Sequence, residues 1–165
     1  MPLVKRRAML AAAPFAPVLV ASCVRTREPS TVEVAKRYVA AWNARDAEQA
    51  ARFLADDVYY LDVTVGEPQH GRDGTRENVI RLFMTAAPDL KWQMNGEPIV
   101  SDGGTAFEWT FSGTNTGPWG PHTPATNRPF RFDGVTFLRV KDDKITYQGD
   151  YYDGYAFHKQ LGWIE

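Results

Sequence analysis

The stretch KITYQGDYYDGYAFHKQLG, from Lys144 to Gly162, decides how this chain is read. After the Asp142-Asp143 turn, apolar and polar residues alternate, which is the period of a β-strand. Alternation sets Thr146, Gln148, Asp150 and Tyr152 on one face, and Ile145, Tyr147, Gly149 and Tyr151 on the other. The Asp153-Gly154 step ends the strand. Tyr155 to Leu161 then makes a short closing helix, capped by Asp153 and stopped by Gly162. Asp150 thus stands among aromatic residues in the last strand. Two readings of it stay open: a carboxylate that caps a backbone or pairs with an arginine, and a desolvated general acid/base.

Outward from that strand, the preceding segments read as more sheet. Phe130 to Val140 is a long strand, and Ala106 to Gly113 alternates with Phe107, Trp109 and Phe111 on one face. Between them, Thr114 to Arg128 is long and rich in Gly, Pro and Thr. Such a loop in a compact domain is usually functional, which makes Trp119 a candidate lid over a ligand. Leu90 to Met94 alternates, Asn95-Gly96 reads as a hairpin-type turn, and Asp102-Gly103-Gly104 as another. Helices come first. Ser30-Thr31-Val32-Glu33 fits a capping box, and the helix behind it sets Ala35, Tyr38, Val39 and Trp42 on one side. Asp46 opens a second short helix with Ala50, Phe53 and Leu54 inward. Asp56-Asp57 reads as a turn, Val58 to Val63 as a strand, and Gly66 to Gly74 as a loop. A third helix over about 75–86 has Val79, Ile80, Phe83 and Met84 as its apolar side and stops before Pro88. Three helices followed by antiparallel strands are an α+β signature.

The first 29 residues stand apart. Lys5-Arg6-Arg7 is a positive n-region, and Ala8 to Ala21 is an apolar run too short to span a bilayer and interrupted by Pro14 and Pro17. Leu19-Val20-Ala21-Ser22-Cys23 resembles the lipobox of bacterial lipoproteins, and Arg6-Arg7 more faintly a twin-arginine export signal. Cys23 is the only Cys, which excludes an internal disulfide. The expectation is a signal peptide over 1–22, lipidation of Cys23, a tether over 23–29, and one domain over 30–165. The protein is then exported and held at a membrane by its lipid. From Cys23 onward the chain keeps 16 of its 19 basic residues and all 20 acidic ones, a net charge of −4. That argues against nucleic acid as a partner. A domain of this size buries roughly 70% of its unfolded surface, enough for one sizeable core.

Two regions carry a family resemblance. AKRYVAAWN, Ala35 to Asn43, and FLADDVYYLD, Phe53 to Asp62, are similar to the start of ketosteroid isomerases. FSGTNTG, Phe111 to Gly117, PATNRP, Pro124 to Pro129, and the closing stretch resemble SnoaL-type polyketide cyclases. The resemblance spans nearly all of residues 30–165. It implies a nuclear-transport-factor-2-like fold, also called a cystatin-like roll: a curved antiparallel sheet wrapped by N-terminal helices into a cone-shaped pocket. From the isomerases it implies a Tyr that donates to an enolate and an Asp that shuttles a proton, which fall on Tyr38 and Asp62. From the cyclases it implies an Asp acting as acid/base in an intramolecular aldol closure, which falls on Asp150. The departures lie on the strand Phe130 to Val140. The second, protonated Asp of the isomerases aligns with Val135, with Asp133 two residues away on the same face. The Gln and His of the cyclases align with Gly134 and Thr136.

An ordinary Asp titrates near 3.9, so it is a weak base at neutral pH; raising it by about two units takes about 2.7 kcal/mol. Tyr38, Trp42, Trp109 and Tyr152 are placed to do this by excluding water. A developing oxyanion also needs a donor, for which Tyr38 and Gln148 are candidates. The candidate catalytic residues are therefore Asp150, Asp62 and Tyr38. Trp42, Tyr60, Trp109, Trp119, Thr136, Gln148 and Tyr152 are candidates to contact a ligand. Plainer roles remain beside these: Tyr38 and Trp42 as core at i, i+4, and Asp62 as a strand-end cap. His70, His122 and His158 lack ligand spacing, so no metal site is expected, and no cofactor is implied. His70 and His158 read as solvent-exposed. Three functions follow. One is a cofactor-independent enzyme moving a proton beside a carbonyl in a hydrophobic, polycyclic or aromatic compound. Another is a lipid-anchored protein that binds a small apolar ligand without turnover. The third is a structural homodimer pairing through an open sheet face that bears Phe107, Trp109 and Phe111.

Overall fold

The computed structural model describes residues 30–165. The expected signal peptide over 1–22, the expected tether over 23–29 and Cys23 lie outside the described residues. The chain opens with helix α1 (Thr31–Asn43), and Ser30 and Glu33 form the full reciprocal capping box that the sequence predicts. Helix α2 (Ala47–Ala51) is capped by Asp46 and is shorter than expected. Leu54 already belongs to strand β1 (Leu54–Asp62), which runs through Asp56 and Asp57 instead of turning there. Both of those aspartates face solvent while Leu54, Val58, Tyr60 and Asp62 are buried.

A two-residue strand β2 (Gln69–His70) pairs with β1 inside what reads as a loop. The third helix is one continuous helical stretch with a π turn in its middle: α3 (Arg72–Thr75), the π turn Arg76–Ile80, and α4 (Arg81–Ala86). The Arg81 amide bonds Arg76 O, five residues back, which widens the turn just ahead of Phe83. Four long strands follow: β3 (Lys91–Ser101), β4 (Gly104–Thr114), β5 (Pro129–Lys141) and β6 (Lys144–Tyr152). Helix α5 (Gly154–Leu161) closes the chain. Asp153 caps α5, and Gly162 ends it in the left-handed conformation at φ 75°. Among the described residues no helix is long and apolar enough to cross a membrane.

The six strands form one curved sheet in the order β2-β1-β6-β5-β4-β3, in which only β1 and β6 pair in parallel. Its inner face and the helices enclose the core, which includes Trp42, Phe83, Trp92, Phe107, Trp109, Phe111 and Phe132. Phe107, Trp109 and Phe111 therefore do not lie on an open face for pairing; each is under 7% exposed. Bulges set the phase. Between Asn95 and Ile99, β3 spends four residues while β4 spends two, so Asn95-Gly96 lies in a bulge and not in a hairpin turn. On β6, Tyr147 pairs with Arg139 and Ile145 with Val140, which leaves Thr146 as an extra residue. That bulge moves Ile145 to the inner face, where it is fully buried, against the simple alternation. Gln148, Asp150 and Tyr152 keep the expected inward phase, and Asp150 pairs with Thr136 in register.

Candidate active site

Between the inner face of the sheet and the helices is a cavity lined by Trp42, Tyr60, Asp62, Phe83, Trp92, Trp109, Phe111, Phe132, Asp150 and Tyr152. Eight of these are aromatic and two are carboxyls. The volume open to the centre of a water molecule is about 30 Å³. One water needs roughly 10–15 Å³ on this measure, so the cavity, which is partly open to solvent, has room for about two. No lysine, arginine or histidine is among the lining residues.

Parallel pairing of β1 with β6 puts Asp62 beside Asp150. Both are buried, at 6% and 5% exposure. Their surroundings differ. Asp62 Oδ1 accepts from the Thr64 amide (2.9 Å), the Thr64 hydroxyl (3.0 Å) and the Tyr152 phenol (2.9 Å). Asp150 Oδ2 accepts from Tyr60 Oη (2.6 Å) and Gln148 Nε2 (2.9 Å), and its Oδ1 from Thr136 Oγ1 (2.5 Å). Burial pushes the Asp150 carboxyl up to about 7, and the neighbouring Asp62 adds to the rise; the donors from Thr136, Tyr60 and Gln148 offset only part of it. Asp62 is raised by burial as well, and its Thr64 and Tyr152 donors pull it back. The two carboxyls are thus set apart by environment: Asp150, raised to about 7, is poised to gain or lose a proton near neutrality, while Asp62 has three donors gathered on one oxygen.

Asp62→Asn is accordingly expected to lower the Asp150 titration midpoint by removing the adjacent charge, with the burial effect left in place. A carboxyl ¹³C titration of the variant reads this directly; an unchanged or raised midpoint would show that the two groups do not couple.

The phenols of Tyr60 and Tyr152 stay protonated, Tyr60 through burial and then Asp150, Tyr152 through burial and then Asp62. Gln148 and Thr136 do not line the cavity; they grip Asp150 from behind. Tyr38 is also behind the wall. It is fully buried, its phenol is held well above its ordinary value by burial, and the nearby Trp42 and Gln148 offset that only in part. Its Oη makes no hydrogen bond of normal geometry, and neither do Trp42 Nε1 and Gln148 Oε1. Tyr38 therefore makes no hydrogen bond to Asp150, whose charge nonetheless adds to the rise of its phenol.

Trp119 stands one ring away from the cavity. It packs on Phe83 (4.7 Å between centroids), Phe157 and Trp163, while Asn115 and the Gly117 amide pin its loop to the end of α4. On β5 the inward residues are Phe132, Gly134 and Thr136, as their pairing with Phe111, Trp109 and Phe107 requires. Val135 and Asp133 face the other way, and Asp133 accepts from Thr110 (2.6 Å). His70 is exposed; His158 is half-buried against Trp163 and Phe157. Among the described residues no three His, Cys, Asp or Glu side chains converge as metal ligands would.

A curved α+β roll with two carboxyls in the wall of an aromatic cavity defines a class of proteins, and comparison with known proteins assigns the chain within it. The family model for SnoaL-like polyketide cyclases matches residues 32–161, so the chain belongs to that family. Membership supports a function of cyclase or isomerase type. No curated protein matches the chain. Among solved structures, a candidate SnoaL-like polyketide cyclase from Jannaschia sp. has a TM-score of 0.71 at 12% identity, over 84% of this chain and 99% of that one. IdmH, a candidate polyketide cyclase from Streptomyces antibioticus, has a TM-score of 0.68 at 21% identity, over 81% and 99%. A protein of ketosteroid-isomerase-like fold from Catenulispora acidiphila, solved in complex with trimethylamine, has a TM-score of 0.67 at 21% identity, over 81% and 95%. Identities this low establish the shared fold alone.

Proposed function

We propose that this protein is a cofactor-independent enzyme that moves a proton at a carbon next to the carbonyl of a small hydrophobic compound, with Asp150 as the acid/base. The observation that carries the reading is the Asp150 carboxyl, buried at an aromatic cavity with its pKa raised to about 7. A base is most effective when its pKa lies near the working pH. The ionised Asp150 takes the α-proton, the C–H electron pair moves toward the carbonyl oxygen, and the protonated carboxyl later returns the proton to carbon. Asp62 keeps the Asp150 proton exchangeable near neutrality. Tyr152 is the donor for the developing oxyanion. Its hydroxyl can leave Asp62 because the Thr64 amide and hydroxyl already serve that carboxylate. The test is α-proton exchange of compact enolisable ketones in D₂O, followed by proton NMR with the full chain. Exchange that saturates with ketone and rises through about pH 7 is expected; no exchange above buffer with any compact ketone would sink the reading.

A second reading has its own support. Eight rings, two carboxyls and no basic side chain suit a small alkylammonium, held by ring faces and carboxylate without turnover. The Catenulispora neighbour was solved with such a compound, trimethylamine. An exported binding protein also agrees with the lipobox-like Ala21-Ser22-Cys23. Calorimetry with trimethylammonium separates this reading from the first, since a bound cation gives heat without any proton exchange. Lipidation of Cys23 is tested by labelled palmitate, which the wild type would incorporate and Cys23→Ser would not.

The outer sheet face supports a homodimer. Val135, Phe137, Tyr147 and Tyr151 share it, Phe137 and Tyr151 are 49% and 41% exposed, and Glu108 and Arg139 offer opposite charges on the same face. Light scattering is expected to give a dimer that Phe137→Glu converts to monomer; a monomeric wild type would remove the proposal.

A further inference from the structure

Asp150 is gripped unevenly, and the single donor on its Oδ1 is itself held by Trp109. The Trp109 indole Nε1 donates to Thr136 Oγ1 (2.7 Å), and Thr136 Oγ1 donates to Asp150 Oδ1 (2.5 Å). A hydroxyl carries one hydrogen, and with the indole N–H occupying one of its lone pairs, that hydrogen is directed at the carboxyl. The chain needs glycine at position 134, which pairs with Trp109 across β4 and β5. A Cβ at Gly134 would overlap the Cζ2 and Cη2 atoms of the indole. The same close approach lays the ring over β5 with its N–H reaching Thr136, two residues on.

A carboxylate has about four acceptor sites, two on each oxygen. Oδ2 receives two donors, Tyr60 and Gln148, while Oδ1 receives only Thr136. One acceptor site is left, and it is on Oδ1.

We propose that Trp109, given room by Gly134 and acting through Thr136, is a positioning residue that fixes the Asp150 carboxyl so that its one open acceptor site, on Oδ1, takes and returns the substrate proton. The proposal rests on the reading of Asp150 as acid/base. In the forward step the α-carbon loses H⁺ to Oδ1 and its electron pair moves to the carbonyl oxygen. In the return step the Oδ1–H bond breaks and a C–H bond forms.

The experiment is the carboxyl ¹³C titration of Asp150 in the full chain, in wild type, Trp109→Phe, Gly134→Ala, Thr136→Val and Thr136→Ser. Loss of a donor to the anion raises a carboxyl midpoint, so Trp109→Phe, Gly134→Ala and Thr136→Val are each expected to raise it by about 0.5–1 pH unit. Thr136→Ser keeps the hydroxyl and is expected to leave it in place. A role in packing alone predicts the opposite sign, because a void beside Asp150 admits water and lowers the midpoint. In the unaltered protein, the indole N–H proton of Trp109 is expected to shift with the same midpoint as Asp150, which keeps a test available if a variant does not fold. A wild-type midpoint near 7 with a fall or no change in Trp109→Phe and a silent indole would overturn the positioning role and leave the acid/base reading standing. A wild-type midpoint near 4 would overturn both.

Discussion

Asp150→Asn is expected to abolish α-proton exchange and to flatten the dependence of stability on pH. The loss of exchange should be about 10²–10⁴-fold, the usual contribution of a positioned acid/base. Asn fits the site. Its carbonyl can accept from Tyr60 and Gln148 while its amide donates to Thr136, so the loss is chemical and not a collapse of the cavity. The stability effect follows from the raised carboxyl, whose folded value is about 7 against an ordinary 3.8. Between those two values the folded chain holds a proton that the unfolded chain has released. Stability is therefore highest below about pH 4 as far as this group is concerned, falls as pH rises to about 7, and is level above that. The fall is about 4 kcal/mol at 1.36 kcal/mol per pH unit. Asn has no proton to lose, so the variant should be the more stable of the two at pH 8, and the slopes of the other shifted carboxyls, Asp62 raised and Glu77 and Asp89 lowered, are common to both proteins. Urea unfolding of both proteins at pH 5 and pH 8 measures it. Parallel slopes in the two proteins would mean that Asp150 titrates as an ordinary carboxylate.

What could be read in the sequence was set by local physics. A capping box is a four-residue pattern, and Ser30 with Glu33 forms it; Asp153 and Gly162 bound the last helix by chemistry that each residue carries alone. Strict alternation on β4 put Phe107, Trp109 and Phe111 inward, and on β6 it put Gln148, Asp150 and Tyr152 inward. The misreadings arose where a partner strand overrides the period. Thr146 is extra only relative to Arg139 and Val140, and Asn95-Gly96 is a bulge only because β4 continues past it. A turn signal cannot distinguish the two without the partner. The site shows the same limit. Tyr38 sits on the core side of α1 as its spacing requires, but whether it lines the cavity or backs it depends on distant rings such as Trp92, which packs on it and lines the cavity. The value of Gly134 was hidden for a similar reason. The sequence shows a glycine where the cyclases carry a side chain, and only the pairing with Trp109 shows which ring fills that space.

Phe157→Ala is expected to cost about 3–5 kcal/mol, as deletion of a large buried aromatic does, out of the roughly 5–15 kcal/mol typical of a domain. Phe157 is 1% exposed and is the main anchor of α5. Its ring centroid lies 4.7 Å from Phe132, 5.3 Å from Phe130, 5.5 Å from Trp119 and 6.1 Å from both Tyr152 and Trp163. Few of these neighbours can move in to fill the void. Phe130 and Phe132 are fixed on β5, and Trp119 is in a loop tied down by Asn115. The cost should therefore fall in the upper part of the range, where sites that cannot relax are found. Because Phe132 and Tyr152 also line the cavity, the void opens toward the carboxyl pair. Water admitted there reduces the desolvation that dominates the Asp150 shift, so its midpoint should move down from about 7 toward 3.8. Phe157→Leu, which keeps most of the volume, should recover most of the stability and most of the midpoint together. A variant that loses stability while its Asp150 midpoint holds would mean that α5 braces the fold without keeping water from the acid.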